Sequence, residues 1–64
     1  MRWYNFETAF TNLRDDLRFY LKANRIKYEL SGTFGFYHFE IFCSPEQAEG
    51  INNYLDTITI KEVR

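Results

Sequence analysis

The sequence predicts an α+β domain: two helices packed on one face of a three- or four-stranded antiparallel sheet, in the order (β)αββαβ. Three observations carry this. Apolar residues between Phe6 and Leu21 recur at three- and four-residue spacing, the period of a helix. From Ile26 to Cys43 the pattern switches to alternation on either side of glycines, which is strand, turn, strand. Ser44-Pro45-Glu46-Gln47 then reads as a helix start, and the β-branched run Thr57 to Val63 follows it.

Met1 to Tyr4 forms a short first strand or a loose arm; as a strand it places Trp3 inward and Tyr4 outward. Asn5 caps the first helix with its side chain. Phe6, Ala9, Phe10, Leu13, Leu17, Tyr20 and Leu21 make the buried stripe of that helix, which runs to about Ala23 with Asn24 as a left-handed stop. Ile26 to Leu30 is the next strand. The turn is expected at Ser31-Gly32 or Gly32-Thr33, and Phe34 to Cys43 returns. Both turn choices put Ile26, Tyr28 and Leu30 on one face with Gly35, Tyr37, Phe39, Ile41 and Cys43, and this face is the expected core. In the second helix Ser44 caps, Pro45 takes the first helical position and Gln47 completes a capping box, with Ala48, Ile51 and Leu55 inward. Gly50 either weakens that helix or marks a close approach to the sheet. In the last strand, Ile58 and Ile60 point inward. With the first strand present, the order β-α-β-β-α-β is the split βαβ, or ferredoxin-like, arrangement.

Sixty-four residues make a single small domain, residues 1–64. A chain of this size buries only about 60% of its extended surface, so its stability needs help. One cysteine excludes an internal disulfide, and no Cys/His cluster suggests zinc. An aromatic core and self-association remain, and seven Phe, five Tyr and one Trp are ample for the first. A net charge of −1 supplies no field that draws in nucleic acid or an anionic membrane. With a lone thiol, no leader-like apolar segment and no run long enough to span a membrane, the expectation is a cytoplasmic protein.

Two helices on one side leave the other face of the sheet open. Parity places Tyr4, Lys27, Glu29, Phe34, Phe36, His38, Glu40, Phe42, Thr57, Thr59 and Lys61 on it. A row of uncovered aromatics marks an interaction site, so Tyr4, Phe34, Phe36, His38 and Phe42 are the candidate protein-binding residues. The segment "GTFGFYHF", Gly32 to Phe39, resembles the RNP1 octamer of the RNA recognition motif, K/R-G-F/Y-G/A-F-V-x-F/Y. Phe34, Gly35, Phe36 and Phe39 match four of its seven defined positions, and Gly32, Thr33 and Tyr37 depart from it. In "MRWYNF", Asn5 is retained and Tyr4 would stand in for the first-strand aromatic. The resemblance implies single-stranded nucleic-acid binding, with Phe34, Phe36 and Tyr4 stacking on bases and Arg2, Lys27 and Lys61 at the rim. Glu29 and Glu40 oppose phosphate at the same face.

A second surface lies on the first helix. Arg14, Arg18 and Lys22 recur at four-residue spacing, and Phe19 sits opposite the buried stripe. His38 and Cys43 differ in parity and fall on opposite faces, which rules out a Cys–His dyad; His38 and Glu40 alone are too few ligands for a metal. No phosphate-binding glycine loop or hydrolase motif occurs. The sequence therefore points to a non-enzymatic protein-binding regulator or inhibitor without cofactor or small-molecule substrate, self-associating as a homodimer, with the nucleic-acid module as the alternative. By analogy, small cysteine-poor domains of this kind are common among regulators encoded by phages and other mobile elements, whose targets are larger host proteins.

Overall fold

The computed structural model describes residues 1–56 and 59–63. Its elements are β1 (Arg2–Thr8), α1 (Thr11–Ala23), β2 (Lys27–Thr33), β3 (Phe36–Cys43), α2 (Pro45–Leu55) and β4 (Lys61–Glu62). The sheet is antiparallel in the order β2-β3-β1-β4, so the chain has the β-α-β-β-α-β order with both helices on one side. Among the described residues no helix is long and apolar enough to cross a membrane.

β3 is the central element. Phe39, Ile41 and Cys43 are fully buried beneath the helices, and β3 pairs with β1 along one edge and β2 along the other. Around them pack Tyr4 and Phe6 from β1, Leu17 and Leu21 from α1, Ala48, Ile51 and Leu55 from α2, Ile26 and Ile60. Burying an aliphatic or aromatic side chain of this kind stabilises a fold by about 1.5–3 kcal/mol. The expected parity of the β2–β3 hairpin is therefore observed: Tyr28 and Leu30 lie with Phe39 and Ile41.

Several expectations are corrected. The strand at the N-terminus is real and longer than expected, so Phe6 belongs to β1 and Asn5 does not cap a helix. Phe6, which opens the helical spacing, also continues an alternation with Tyr4 and Thr8. A seven-residue ladder with β3 satisfies every backbone group along that edge, which a helix begun at Phe6 would forfeit. The helix starts at Thr11 behind Phe10, which provides no side-chain cap and is itself exposed. Thr8 supports the bend instead: its hydroxyl accepts a hydrogen bond from the Phe10 N–H at 3.0 Å. The parity of β1 is also inverted, with Tyr4, Phe6 and Thr8 buried and Trp3, Asn5 and Glu7 on the open side.

The hairpin turn is the third correction. It falls at Phe34-Gly35, closed by the Thr33–Phe36 pair, and Gly35 has φ +85° at the second central position, where a side chain would be strained. All three turn positions give the same parity, because each moves the register by an even number of residues. Gly35 is accordingly part of the turn and not of the core face. Fourth, among the described residues of the run Thr57 to Val63 the strand is the two-residue β4; Ile60 is buried as expected, and Thr57 and Ile58 lie outside the described residues.

α2 begins as expected. The Ser44 hydroxyl accepts from the Gln47 N–H at 3.1 Å, and the Gln47 side chain accepts from the Ser44 N–H at 3.0 Å. The two helices meet through the Tyr20 and Tyr54 rings, 4.5 Å apart. A Cβ on Gly50 would stand 3.1 Å from the Tyr20 hydroxyl, so the close neighbour of Gly50 is α1 and not the sheet.

The end of α1 has a Schellman arrangement: Ile26 N–H donates to the Leu21 carbonyl at 2.9 Å, and Arg25 N–H to the Lys22 carbonyl at 3.2 Å. The left-handed residue of this motif is Arg25, φ +55°, and not Asn24, whose φ is −98°. A non-glycine residue there carries a cost on the order of 1 kcal/mol. Arg25→Gly is expected to raise the unfolding free energy by about 1 kcal/mol. In urea denaturation this appears as a higher midpoint at unchanged slope.

Candidate functional site

The open face is built by odd positions of β1 and β2 and even positions of β3. Across the sheet it reads Lys27, Phe42, Trp3 in one row, then Glu29, Glu40, Asn5, Lys61, then Ser31, His38, Glu7. Phe36 follows beside Thr33, next to the turn. Trp3 and Phe42 are cross-strand neighbours with ring centroids 5.0 Å apart and planes tilted by 46°, a favourable aromatic geometry. Both are half-buried, on the side of the sheet opposite the helices.

Of the residues expected here, Phe36, His38 and Phe42 lie on the open face, and Phe36 is 52% exposed. Phe34 is fully exposed, but at the tip of the hairpin and outside the sheet. The RNP1-like octamer thus straddles the turn, with Gly32 and Thr33 in β2 and Phe36 to Phe39 in β3. Tyr4 is a correction. It is buried on the helix side, where desolvation pushes its phenol pKa up. Trp3 holds the place assigned to it, a residue whose parity was inverted because the helix was begun too early. The signal that could have found it is the alternation of Tyr4, Phe6 and Thr8.

The face is not uniformly apolar. Two aromatic ends, Trp3–Phe42 and Phe36, are separated by a polar band containing Glu7, Glu29 and Glu40. His38 sits within it, its Nδ1 3.2 Å from Glu7 Oε1 and its Nε2 3.9 Å from Glu40 Oε1. Among the described residues no group of three or more His, Cys, Asp or Glu side chains is placed to hold a metal ion. Beside the band, where β4 stops short, a shallow groove of about 650 Å³ runs along β1, lined by Asn5, Glu7, Thr59 and Lys61.

On α1 the basic row is divided. Arg14 lies over the Tyr37 ring, 4.6 Å from its centroid, and its Nε is 2.8 Å from Asp15 Oδ1. The hydrogen bond to Asp15 raises the Arg14 pKa and lowers that of Asp15. Arg14 is thus engaged within the fold; Arg18 is half-buried and Lys22 exposed. Phe19 is 73% exposed on the outer side of the helix, as its spacing predicted.

Cys43 is fully buried on the helix side, and burial pushes its thiol pKa up, the reverse of an activated nucleophile. Cys43 and Tyr4 both hold their protons more tightly folded than unfolded. Their contribution to stability is complete below the ordinary thiol pKa of about 8.5 and is lost as pH rises through the raised folded values. Urea midpoints are expected to be flat from pH 6 to about 8 and to fall above it. At pH 8 a thiol reagent should modify Cys43 only as fast as the chain opens, and stoichiometrically at once in denaturant. No family model matches the chain, and neither does any curated protein or solved structure.

Proposed function

We propose that this chain is a non-enzymatic protein-binding domain, a small cytoplasmic regulator or inhibitor of a larger protein, whose contact surface is the open face of the sheet. The observation that carries this reading is the Trp3–Phe42 pair on a face that no helix covers, with Phe36 exposed at the other end. Aromatic side chains of this kind are the usual anchors of protein contacts. The polar band between them sets the chemistry of the partner. Glu7, Glu29 and Glu40 ask for one or two Arg or Lys side chains, flanked by apolar groups that meet the aromatic ends. Phe19 and its flanking Asp15, Asp16 and Arg18 offer a second, smaller contact on α1.

The same acids disfavour a nucleic-acid backbone, whose affinity comes largely from neutralising phosphates. The RNA-recognition-like alternative is favoured by Phe34 and Phe36 at the hairpin, and by Lys27 and Lys61 at the rim.

One experiment separates the two. The chain is sedimented with a mixed-sequence single-stranded oligonucleotide at low and moderate salt, and a tagged form is used to retain partners from host extract. The oligonucleotide is expected to add no mass at either salt, and Phe42→Asp and Phe36→Asp are each expected to weaken retention of the partner by 30-fold or more, about 2 kcal/mol for an anchor residue. Oligonucleotide binding that is strong at low salt and falls steeply as salt rises would reverse the ranking.

A further inference from the structure

The two edges of the sheet are unlike. β4 is two residues long, and short edge strands resist the addition of another strand. β2 is seven residues long, contains no proline, and is exposed or half-buried throughout. The direction of its backbone groups follows from the ladder. Val63 N–H donates to the Trp3 carbonyl at 2.8 Å, so Trp3 turns its backbone groups towards β4 and Tyr4 turns its own towards β3. In an antiparallel ladder bonded and non-bonded pairs alternate. Ile41, bonded to Tyr4, therefore turns away from β2, and its neighbour there, Tyr28, turns to the outer edge. Leu30 does the same, while Lys27 and Glu29 bond inward to β3. The side chains agree with an unfinished edge. Tyr28 and Leu30 abut the core but remain only partly buried, and Lys27 and Glu29 are exposed on the open face.

We propose that β2 pairs antiparallel with β2 of a second copy of this chain, about a two-fold axis at Tyr28, fusing two four-stranded sheets into one. Tyr28 and its counterpart exchange two hydrogen bonds, and each Leu30 N–H meets the Ile26 carbonyl of the second copy. The Ile26 N–H is already committed to Leu21. The charges select this register. With Tyr28 on the axis, Lys27 faces Glu29 of the second copy, and the reverse, giving two opposite-charge cross-strand pairs. An axis at Glu29 or at Lys27 sets each against itself, and one at Ile26 sets Arg25 against Lys27. An axis at Leu30 sets Glu29 against Ser31 and loses both pairs. Face-to-face packing of two open faces would bury Glu7, Glu29 and Glu40 against their own copies, a costly desolvation of like charges. Edge pairing leaves them in water and sets two open faces side by side. The pairing does not depend on what the open face binds.

The test is sedimentation of the full chain from about 1 µM to 1 mM, the range of moderate to weak affinities, with amide exchange by NMR. A shift to twice the monomer mass is expected, with exchange at Tyr28 and Leu30 slowing as concentration rises. Lys27→Glu and Glu29→Lys alone should each weaken association about 10-fold, because both symmetric pairs become repulsive. The two together should restore it. Phe36→Asp, on the open face and away from the axis, should leave it unchanged. A chain that stays monomeric, a dimer indifferent to either charge reversal, or a dimer dissociated by Phe36→Asp overturns the proposal. A monomer still capable of losing its partner on Phe42→Asp would leave the open-face reading standing.

Discussion

The structure depends on one strand. β3 is hydrogen-bonded along both edges and buried along one side, so its two-residue period decides the location of every other element. Phe39, Ile41 and Cys43 reach no solvent, and Tyr37 beside them lies beneath the Arg14 guanidinium. A one-residue slip would send this whole set into water and bring His38 and Glu40 under the helices. The cost of burying those two without partners is what holds the register, more than any single hydrogen bond does. Everything on the open face is a by-product of that constraint, since its residues are the alternates of the core.

The same constraint explains which parts of the fold were legible in the sequence. The β2–β3 parity could be read because every two-residue turn in this segment shifts the pairing by an even number, so a different position for the turn left the faces intact. The capping box of α2 was legible because it is local: Ser44, Pro45 and Gln47 need no tertiary contact to act. The start of α1 was not legible. Phe6 opens a helical spacing with Ala9 and Phe10 and equally continues an alternation with Tyr4 and Thr8, and only the long-range ladder to β3 separates the two. That one error moved Tyr4 from core to surface and hid Trp3, which shows how a local ambiguity passes undiluted into the candidate site.

On the proposed reading the open face takes a protein ligand and not a polyanion, and its layout suits that. Its aromatic groups sit at the ends, where they can enter pockets, and the carboxylates occupy the middle, where a phosphate chain would have to pass. Lys27 links the open face and the β2 edge: its side chain lies beside Phe42 on the face, while its strand forms the exposed edge. A contact at either surface would therefore be felt electrostatically at the other, within the 8–10 Å over which charges act at ordinary salt.

The brevity of β4 bears on how the sheet comes apart. Its pairs with β1, Tyr4 with Glu62 and Asn5 with Lys61, join the two ends of the chain, whereas the β2–β3 hairpin closes over a two-residue turn. The loop entropy recovered on opening grows with the length of chain released; among the described residues it is opposed by two strand pairs, the Val63–Trp3 bond, a solvent-exposed Arg2–Glu62 ion pair and the buried Ile60 side chain. The sheet should fray first at this seam, in excursions that bare the outer margin of β1 while the hairpin stays zipped. In kinetic terms, the last strand to dock in folding is then the first to leave.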